Sequence, residues 1–240
     1  MNGETHLWLI RHAPVDGPRG VIHAPDAPAD LGDAAAFATL QARLPANAFA
    51  VCSPARRTSE TAVRLGLTAT ADEAFREQDF GDWTGRRHSE IEQELGAEAY
   101  RAFWQSPGTN RPPGGESFAD QIARARAGLA RLPVGDVVLV VHSGTIRAIL
   151  AIALELAPEL ALRFVIDPLS LTRIDRLNST ISIQQTQKGT VGGSAGGAGA
   201  LQEYKTGDAA MLDAVHAGDR VTYSATDNNG TGTLTKLQKQ

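Results

Sequence analysis

The sequence predicts an α/β protein, a three-layer sandwich built on a mostly parallel central sheet. Short apolar runs rich in β-branched residues, such as residues 137–141, alternate with segments whose apolar residues repeat at three- and four-residue steps. This alternation is typical of a parallel sheet with helices on both faces. With 240 residues, 42% of them hydrophobic, the chain is long enough to bury one sizeable core.

Local patterns place the elements in order. Residues 6–10 and 49–52 are apolar strands, and the segment from about Asp33 to Leu44 between them has a helical apolar stripe. Ser53-Pro54 indicates a helix start with a hydroxyl cap, and Gly66 ends that helix. Two further helices begin at capping pairs. One is capped by Ser89 and Glu92 and ends near Gly96, and the other is capped by Ser117 and Asp120 and has its apolar stripe on Phe118, Ile122, Ala125, Leu129 and Leu132. A strand at 137–141, a helix over about 146–154 and strands at 169–174 and 180–183 complete the prediction.

The character of the chain changes after Lys188. Residues 189–200 contain six glycines among small residues, a flexible-linker composition. We therefore expect a main domain over residues 1–187, a Gly-rich linker over 188–200 and a small β-rich tail over 201–240. Within that tail, Asp227 to Gly230 is a hairpin signal.

Composition excludes several classes of protein. A net charge of −4 argues against nucleic-acid binding, because proteins that bind phosphate backbones are usually basic. No apolar stretch reaches the length of a membrane span. The single cysteine, Cys52, cannot form an internal disulfide, and the N-terminus lacks a signal-peptide pattern, so we expect a cytoplasmic protein. No ligand spacing typical of a metal site is present, and we expect neither a metal nor another cofactor.

Two histidines directly follow predicted strands. Arg11-His12 follows the first strand and His142 follows the strand at 137–141. A histidine in this position is often only a hydrogen-bonded loop residue, but ligands collect at the carboxyl ends of strands in open α/β sheets. Arginine suits phosphate and neutral histidine is a capable nucleophile, so the pair indicates chemistry on a phosphoryl group. Arg56 and Arg57, at the start of a helix, would also attract an anion.

Five sequence blocks, in this order, resemble the histidine phosphatase superfamily, the phosphoglycerate-mutase-like fold. They are Leu9-Ile10-Arg11-His12-Ala13, Ser53 to Ala62, Glu77-x-Asp-Phe-Gly-x-Trp, Pro113 to Ser117, and Val140-Val141-His142-Ser143-Gly144.

The resemblance implies a role for each matching residue. His12 is the nucleophile that becomes phosphorylated, and Glu77 protonates the leaving group. Arg11, Arg57 and His142 bind the phosphoryl oxygens, which also places His142 among the catalytic residues. The implied reaction is metal-independent hydrolysis of a small phosphorylated metabolite.

Some features depart from the family pattern. Ala13 replaces the usual glycine, and the loop that follows lacks a Thr and an Asn often found there. The compact length is similar to the branch that includes α-ribazole phosphatases, so α-ribazole 5'-phosphate is one candidate substrate. The tail weakly resembles half of a small copper-binding β-barrel, without its Met-x-Met pair. Phosphoglycerate-mutase-type phosphoryl transfer and a non-catalytic phospholigand-binding or adaptor protein remain alternatives, and protein partners are not indicated.

Overall fold

The computed structural model describes residues 5–177, 180–185, 204–206, 221–228 and 231–239. A six-stranded mixed sheet organises the main domain in the order β3-β2-β4-β1-β5-β6. The four strands from β3 to β1 are parallel, whereas β5 and β6 are antiparallel additions at one edge. The strands are β1 (Thr5–Arg11), β2 (Phe49–Cys52), β3 (Thr70–Ala71), β4 (Gly135–Val141), β5 (Leu171–Leu177) and β6 (Thr180–Gln185).

Helices cover both faces of this sheet. The helices are α1 (Ala34–Gln41), α2 (Arg56–Arg64), α3 (His88–Leu95), α4 (Ala97–Gln105), α5 (Phe118–Leu129), α6 (Ser143–Ala153) and α7 (Pro158–Ala161). No helix in the described ranges is both long and apolar enough to cross a membrane.

Alternation along the central strands produces two apolar cores. Leu139 of β4 belongs to the core that includes Ile146 and Ile149 of α6. Val140, the next residue, belongs to the core that includes Phe37 of α1 and Ala62 of α2. Because successive strand residues face opposite sides, β4 is apolar throughout and lies between two layers of helices. The predicted three-layer α/β fold with a mostly parallel sheet is confirmed.

The register between β1 and β4 brings the two histidines together. Arg11 pairs with Val141, the last residue of β4, and the His12 amide donates to the Val141 carbonyl at 2.9 Å. The two strands therefore end side by side, and the residue after each lies at the same edge of the sheet.

Several predicted boundaries hold. Residues 49–52 form β2, and Ser117 and Asp120 form the capping box of α5. Helix α1 begins directly after Asp33, which caps it, in agreement with the predicted start. It ends at Gln41, before the predicted end at Leu44. Cys52 is buried as a small apolar side chain, and burial raises the pKa of its thiol.

Other predictions were wrong. Helix α2 begins at Arg56 with Ala55 as its cap, and not at Ser53-Pro54. The Ser53 hydroxyl accepts the Ala55 amide at 3.3 Å and also contacts His142 Nε2 at 2.8 Å. Helix α3 is preceded by Arg87, whose backbone amide donates to the Glu90 carboxylate at 3.0 Å, so the predicted capping box of Ser89 and Glu92 is not the start of this helix. Helix α4 was not predicted. None of its residues is fully buried, but Tyr100 and Phe103 pack against the cluster that contains Trp83 and Ile91.

The described part of the tail is a separate three-stranded sheet. It contains β7 (Tyr204–Thr206), β8 (Val221–Asn228) and β9 (Thr231–Lys239), in the order β7-β9-β8. Strands β8 and β9 are antiparallel, as the hairpin signal predicts. The predicted linker at 188–200 lies outside the described residues, as do Met211 and His216, on which the copper-barrel resemblance would depend.

Candidate active site

His12 lies just beyond β1 and is 5% exposed. Its Nδ1 lies 2.6 Å from the carbonyl oxygen of Ala13. Because a carbonyl only accepts hydrogen bonds, this contact assigns the proton to Nδ1 and leaves Nε2 with a free lone pair. Nε2 is therefore the ring atom available for a reaction.

Arg57 lies between the two histidine rings. Its Nε donates to His12 Nε2 at 3.3 Å, and its NH2 group lies 3.3 Å from His142 Nδ1. Since arginine only donates, His142 Nδ1 accepts, and Nε2–H of that ring points to the Ser53 hydroxyl. The ring centroids of His12 and His142 are 5.0 Å apart in an edge-to-face arrangement.

Both imidazoles are held in the neutral form. Burial is the largest cause that lowers the pKa of His12 well below its usual value, with His142 as the next cause. His142 is fully buried, and burial followed by the charges of Arg57 and Arg11 lowers its pKa well below its usual value. A neutral imidazole has the lone pair that nucleophilic attack requires.

Glu77 lies at the N-terminus of α6, directly beyond His142. One carboxylate oxygen accepts the Gly144 amide at 3.2 Å. The other oxygen accepts the Gln78 amide at 3.1 Å and Nε2 of Gln121 at 3.1 Å. These three donors hold the carboxyl group of Glu77 in one place.

Arg124 of α5 fixes the backbone that carries Glu77. Its guanidinium donates to the carbonyl oxygens of Glu73, Ala74, Arg76 and Glu77 at 3.0–3.4 Å. The guanidinium also forms an ion pair with Glu116. Arg124 was not among the site residues predicted from the sequence.

Arg11 is the last residue of β1 and directly precedes His12. Its NH1 group donates to the carbonyl of Ile166 in the loop before β5. Its Nε is buried and has no hydrogen-bond partner among the described residues. Burial lowers the pKa of Arg11, and the charge of Glu77 opposes that shift. Arg11 therefore lies within electrostatic range of both His12 and Glu77 without a direct bond to either.

Thr61 connects the helix of Arg57 to the loop of His12, a role that sequence analysis missed. Its buried hydroxyl accepts the Ala13 amide at 3.0 Å and donates to the Arg57 carbonyl at 2.7 Å. The same Ala13 peptide accepts Nδ1–H of His12 through its carbonyl. The helix thus positions both Arg57 and the loop that orients the His12 ring.

The structure brings all five predicted site residues, Arg11, His12, Arg57, Glu77 and His142, to one edge of the sheet. The long loop from Pro14 to Asp30 closes over this edge, where the Ala24 carbonyl accepts from NH1 of Arg57 at 2.9 Å. Within the described ranges, no group of three or more His, Cys, Asp or Glu side chains is arranged to hold a metal ion.

Three comparisons relate this arrangement to known proteins. The family model described as histidine phosphatase superfamily (branch 1) matches residues 7–188. Glucosyl-3-phosphoglycerate phosphatase from Mycobacterium tuberculosis is 38% identical over 122 residues, which cover 44% of this chain and 54% of that protein. The chain thus spans about half the length of this curated relative.

Solved structures share the fold. The native mycobacterial glucosyl-3-phosphoglycerate phosphatase superposes with a TM-score of 0.62 at 30% identity, over 72% of this chain and 90% of that one. The α-ribazole phosphatase from Shigella flexneri gives a TM-score of 0.65 at 24% identity, over 79% of this chain and 100% of that one; at this identity the likeness concerns the fold alone. Since the family model matches residues 7–188, most of the chain, the protein belongs to branch 1 of the histidine phosphatase superfamily.

Proposed function

We propose that this protein is a phosphomonoesterase that hydrolyses a small phosphorylated metabolite through a phosphohistidine at His12. The observation that carries the proposal is the orientation of the His12 ring. Nδ1 is tied to the Ala13 carbonyl, so the Nε2 lone pair faces Arg57 in a buried cluster of donors. A binding protein would need the donors but not an oriented nucleophile.

In the first step, Nε2 of His12 attacks phosphorus and the bond from phosphorus to the ester oxygen breaks. Arg57, hydrogen-bonded to two ring nitrogens in the free enzyme, transfers its hydrogen bonds to the phosphoryl oxygens, and Arg11 contributes to the same anion site. His142 holds the guanidinium of Arg57 in place, and it donates to a phosphoryl oxygen only when Nδ1 takes up a proton. Positioning and electrostatic stabilisation provide most of the catalysis of phosphoryl transfer, so this donor set suffices for the step.

Glu77 donates a proton in the first step and recovers one in the second. In its protonated form it gives a proton to the leaving alkoxide and becomes a carboxylate. In the second step a water molecule attacks the phosphohistidine, Glu77 takes a proton from that water, and inorganic phosphate leaves. The enzyme returns to its starting state, with His12 neutral and Glu77 protonated.

The relatives suggest which metabolites to test. Glucosyl-3-phosphoglycerate is the first candidate, because its phosphatase is 38% identical over the aligned residues. α-Ribazole 5'-phosphate is the second, on the sequence resemblance to that branch. We expect hydrolysis of an alkyl phosphate ester in both cases.

The test of the proposal is detection of the covalent intermediate. Full-length protein with a chelator is mixed with an aryl phosphate labelled with ³²P and quenched in alkali, in which phosphohistidine survives. We expect turnover and a labelled protein, and we expect the His12→Ala variant to lose both while it remains folded. A His12→Ala variant that retains the label or near-normal turnover contradicts covalent catalysis at His12. Transfer of the label to an added phosphoglycerate, at a rate above hydrolysis, would favour a mutase.

A further inference from the structure

Gln121 is a buried polar residue in the middle of an otherwise apolar helix face. The buried residues of α5 are Phe118, Gln121, Ala125 and Gly128. Gln121 is fully buried, a rare environment for glutamine. The face turned towards Glu77 therefore carries an amide at a position where an aliphatic side chain would satisfy packing alone.

The Gln121 amide nitrogen is directed at the residues that form the acid end of the site. It donates to the Glu77 carboxylate at 3.1 Å and lies 3.3 Å from both the Thr145 hydroxyl and the Arg76 carbonyl. The partners are a carboxylate, a carbonyl and a hydroxyl, and all of them can accept, which fixes the nitrogen on this side of the amide.

The amide oxygen of Gln121 is buried and has no hydrogen-bond partner among the described residues. This oxygen borders the same small space as the carboxyl group of Glu77, because a side-chain carbon added at Gly144 would lie 3.2 Å from it and would collide with Glu77 Oε1. A buried acceptor without a donor is costly, and it calls for a donor that one state of the site provides. The acid hydroxyl of a protonated Glu77 is such a donor.

We propose that Gln121 is a positioning residue that serves both protonation states of Glu77. When Glu77 is a carboxylate, the amide nitrogen donates to it. When Glu77 is protonated, the amide oxygen accepts its O–H and holds the acid in one orientation until the leaving group takes the proton. Gln121 itself neither gains nor loses a proton. The inference rests on the proposed function, in which Glu77 alternates between these two states in every turnover.

The test compares two esters that differ in their need for a proton. We would replace Gln121 with Met, which is unbranched and of similar size, and measure kcat/KM on glycerol phosphate and on p-nitrophenyl phosphate. This ratio reports the steps up to departure of the leaving group and leaves out hydrolysis of the phosphohistidine, which both esters share. The alkoxide needs protonation, whereas nitrophenolate leaves readily without it. We expect a fall of about tenfold in kcat/KM on glycerol phosphate, because a mispositioned general acid loses part of its rate contribution. We expect kcat/KM on the nitrophenyl ester to stay within about twofold.

The Glu77→Gln background provides the matched control. If Gln121 acts through Glu77, adding Gln121→Met to Glu77→Gln should have no further effect on either ester. Gln121→Asn keeps the amide but withdraws it from Glu77, so it should show the same change in rates as Gln121→Met. This second variant keeps the test valid if methionine fails to pack at this position. Thermal unfolding of each variant reports its stability.

The outcomes separate the two proposals. An equal loss on both esters in the Gln121 variants, or unchanged rates on both, overturns the positioning role. If Glu77→Gln alone shows no dependence on the leaving group, the acid role of Glu77 in the proposed function fails, whatever Gln121 does. Leaving-group dependence in the Glu77 variant, together with a partial version of it in the Gln121 variants, supports both.

Discussion

The Nε–H group of Arg57 points directly at Nε2 of His12 across 3.3 Å. The same guanidinium reaches Nδ1 of His142 at 3.3 Å. One planar side chain thus marks the position that a phosphoryl group would occupy between the two rings. An incoming phosphoryl oxygen would take over both hydrogen bonds and leave the His12 lone pair free to attack.

Replacing Arg57 with Lys should therefore impair the reaction strongly. A lysine ammonium is a point charge and cannot donate along the fixed directions of a guanidinium fork. We expect kcat/KM to fall by roughly 100- to 1000-fold, the range found when a transition-state donor is lost. Steady-state kinetics with an aryl phosphate measures the effect.

The adjacent arginine is a matched control. Arg56 is exposed and forms an ion pair with Glu60 on the same helix, away from the histidines. Arg56→Lys should leave kcat/KM within about twofold, because exposed ion pairs contribute little. Equal losses in the two variants would show that helix charge, and not the Arg57 geometry, matters.

Thr61 should be required for the orientation of His12. Thr61→Val keeps the shape of the side chain but removes the acceptor of the Ala13 amide, whose carbonyl holds the His12 ring. We expect kcat to fall about tenfold with little change in KM, and the free energy of unfolding to fall by about 1–3 kcal/mol for the unpaired buried amide. Thr61→Ser, which keeps the hydroxyl, should recover most of kcat. A Val variant that loses stability but keeps kcat would confine Thr61 to a structural role.

The strand pattern made the location of the site predictable. Residues 137–141 are apolar at every position because β4 is buried on both faces, and β1 lies next to it in parallel register. Two neighbouring parallel strands must end at the same edge, so His12 and His142 meet there. Arg57 and Glu77 lie outside these two strands, and they were predicted from the order of the motif blocks.

The residues that sequence analysis missed act over long separations in the chain. Gln121 contacts Glu77 across 44 positions, and Thr61 contacts Ala13 across 48. No local periodicity records such contacts, since the partner is brought close only by the fold. Ser53 shows both kinds of contact. Its hydroxyl accepts the nearby Ala55 amide, as its local pattern suggests, and it also contacts His142, 89 positions away, which the local pattern does not record.

The two buried histidines should make stability depend on pH below neutrality. The pKa values of His12 and His142 are lowered in the folded protein, mainly by burial, so the unfolded chain binds more protons once pH falls below about 6.5. Above that pH, the free energy of unfolding includes the full contribution of the two neutral histidines. That contribution is lost on acidification, by up to about 1.4 kcal/mol per pH unit for each histidine.

Urea unfolding at pH 7.5, 6.5 and 5.5 measures this dependence. We expect little change attributable to these groups between the first two values and a clear loss between the last two. His12→Gln should show a smaller loss over the same interval, because one titrating group is removed. A wild-type protein that becomes more stable from pH 6.5 to 5.5 would contradict a neutral histidine pair.

Gly144 should be intolerant of even a methyl group. A β-carbon at this position would collide with Oε1 of Glu77, although alanine suits a helix better than glycine does. We expect Gly144→Ala to displace the carboxylate and to lower kcat on an alkyl phosphate about 100-fold, the cost of a shift near 1 Å at a reacting group. Shortening the acid in the same protein, with Glu77→Asp, should recover part of the rate. Full activity in Gly144→Ala would mean that the observed carboxylate position is not the working one.

The tail should be dispensable for chemistry, as its composition and the position of the site both suggest. The site residues from Arg11 to His142 precede β5, and in the described part of the tail β9 pairs with β7 and β8 in a sheet of their own. A chain truncated after Gln187 retains β6, the edge strand paired with β5. We expect its kcat and KM to stay within about a factor of two, because the lost contacts lie outside the transition state.

Truncation after Leu177 is the contrasting control. It removes β6 and exposes the backbone of β5, the neighbour of β1, and it should lower the thermal midpoint and the soluble yield. A tenfold fall in kcat/KM for the longer truncation, or its precipitation, would show that the tail packs on the catalytic domain and supports the site.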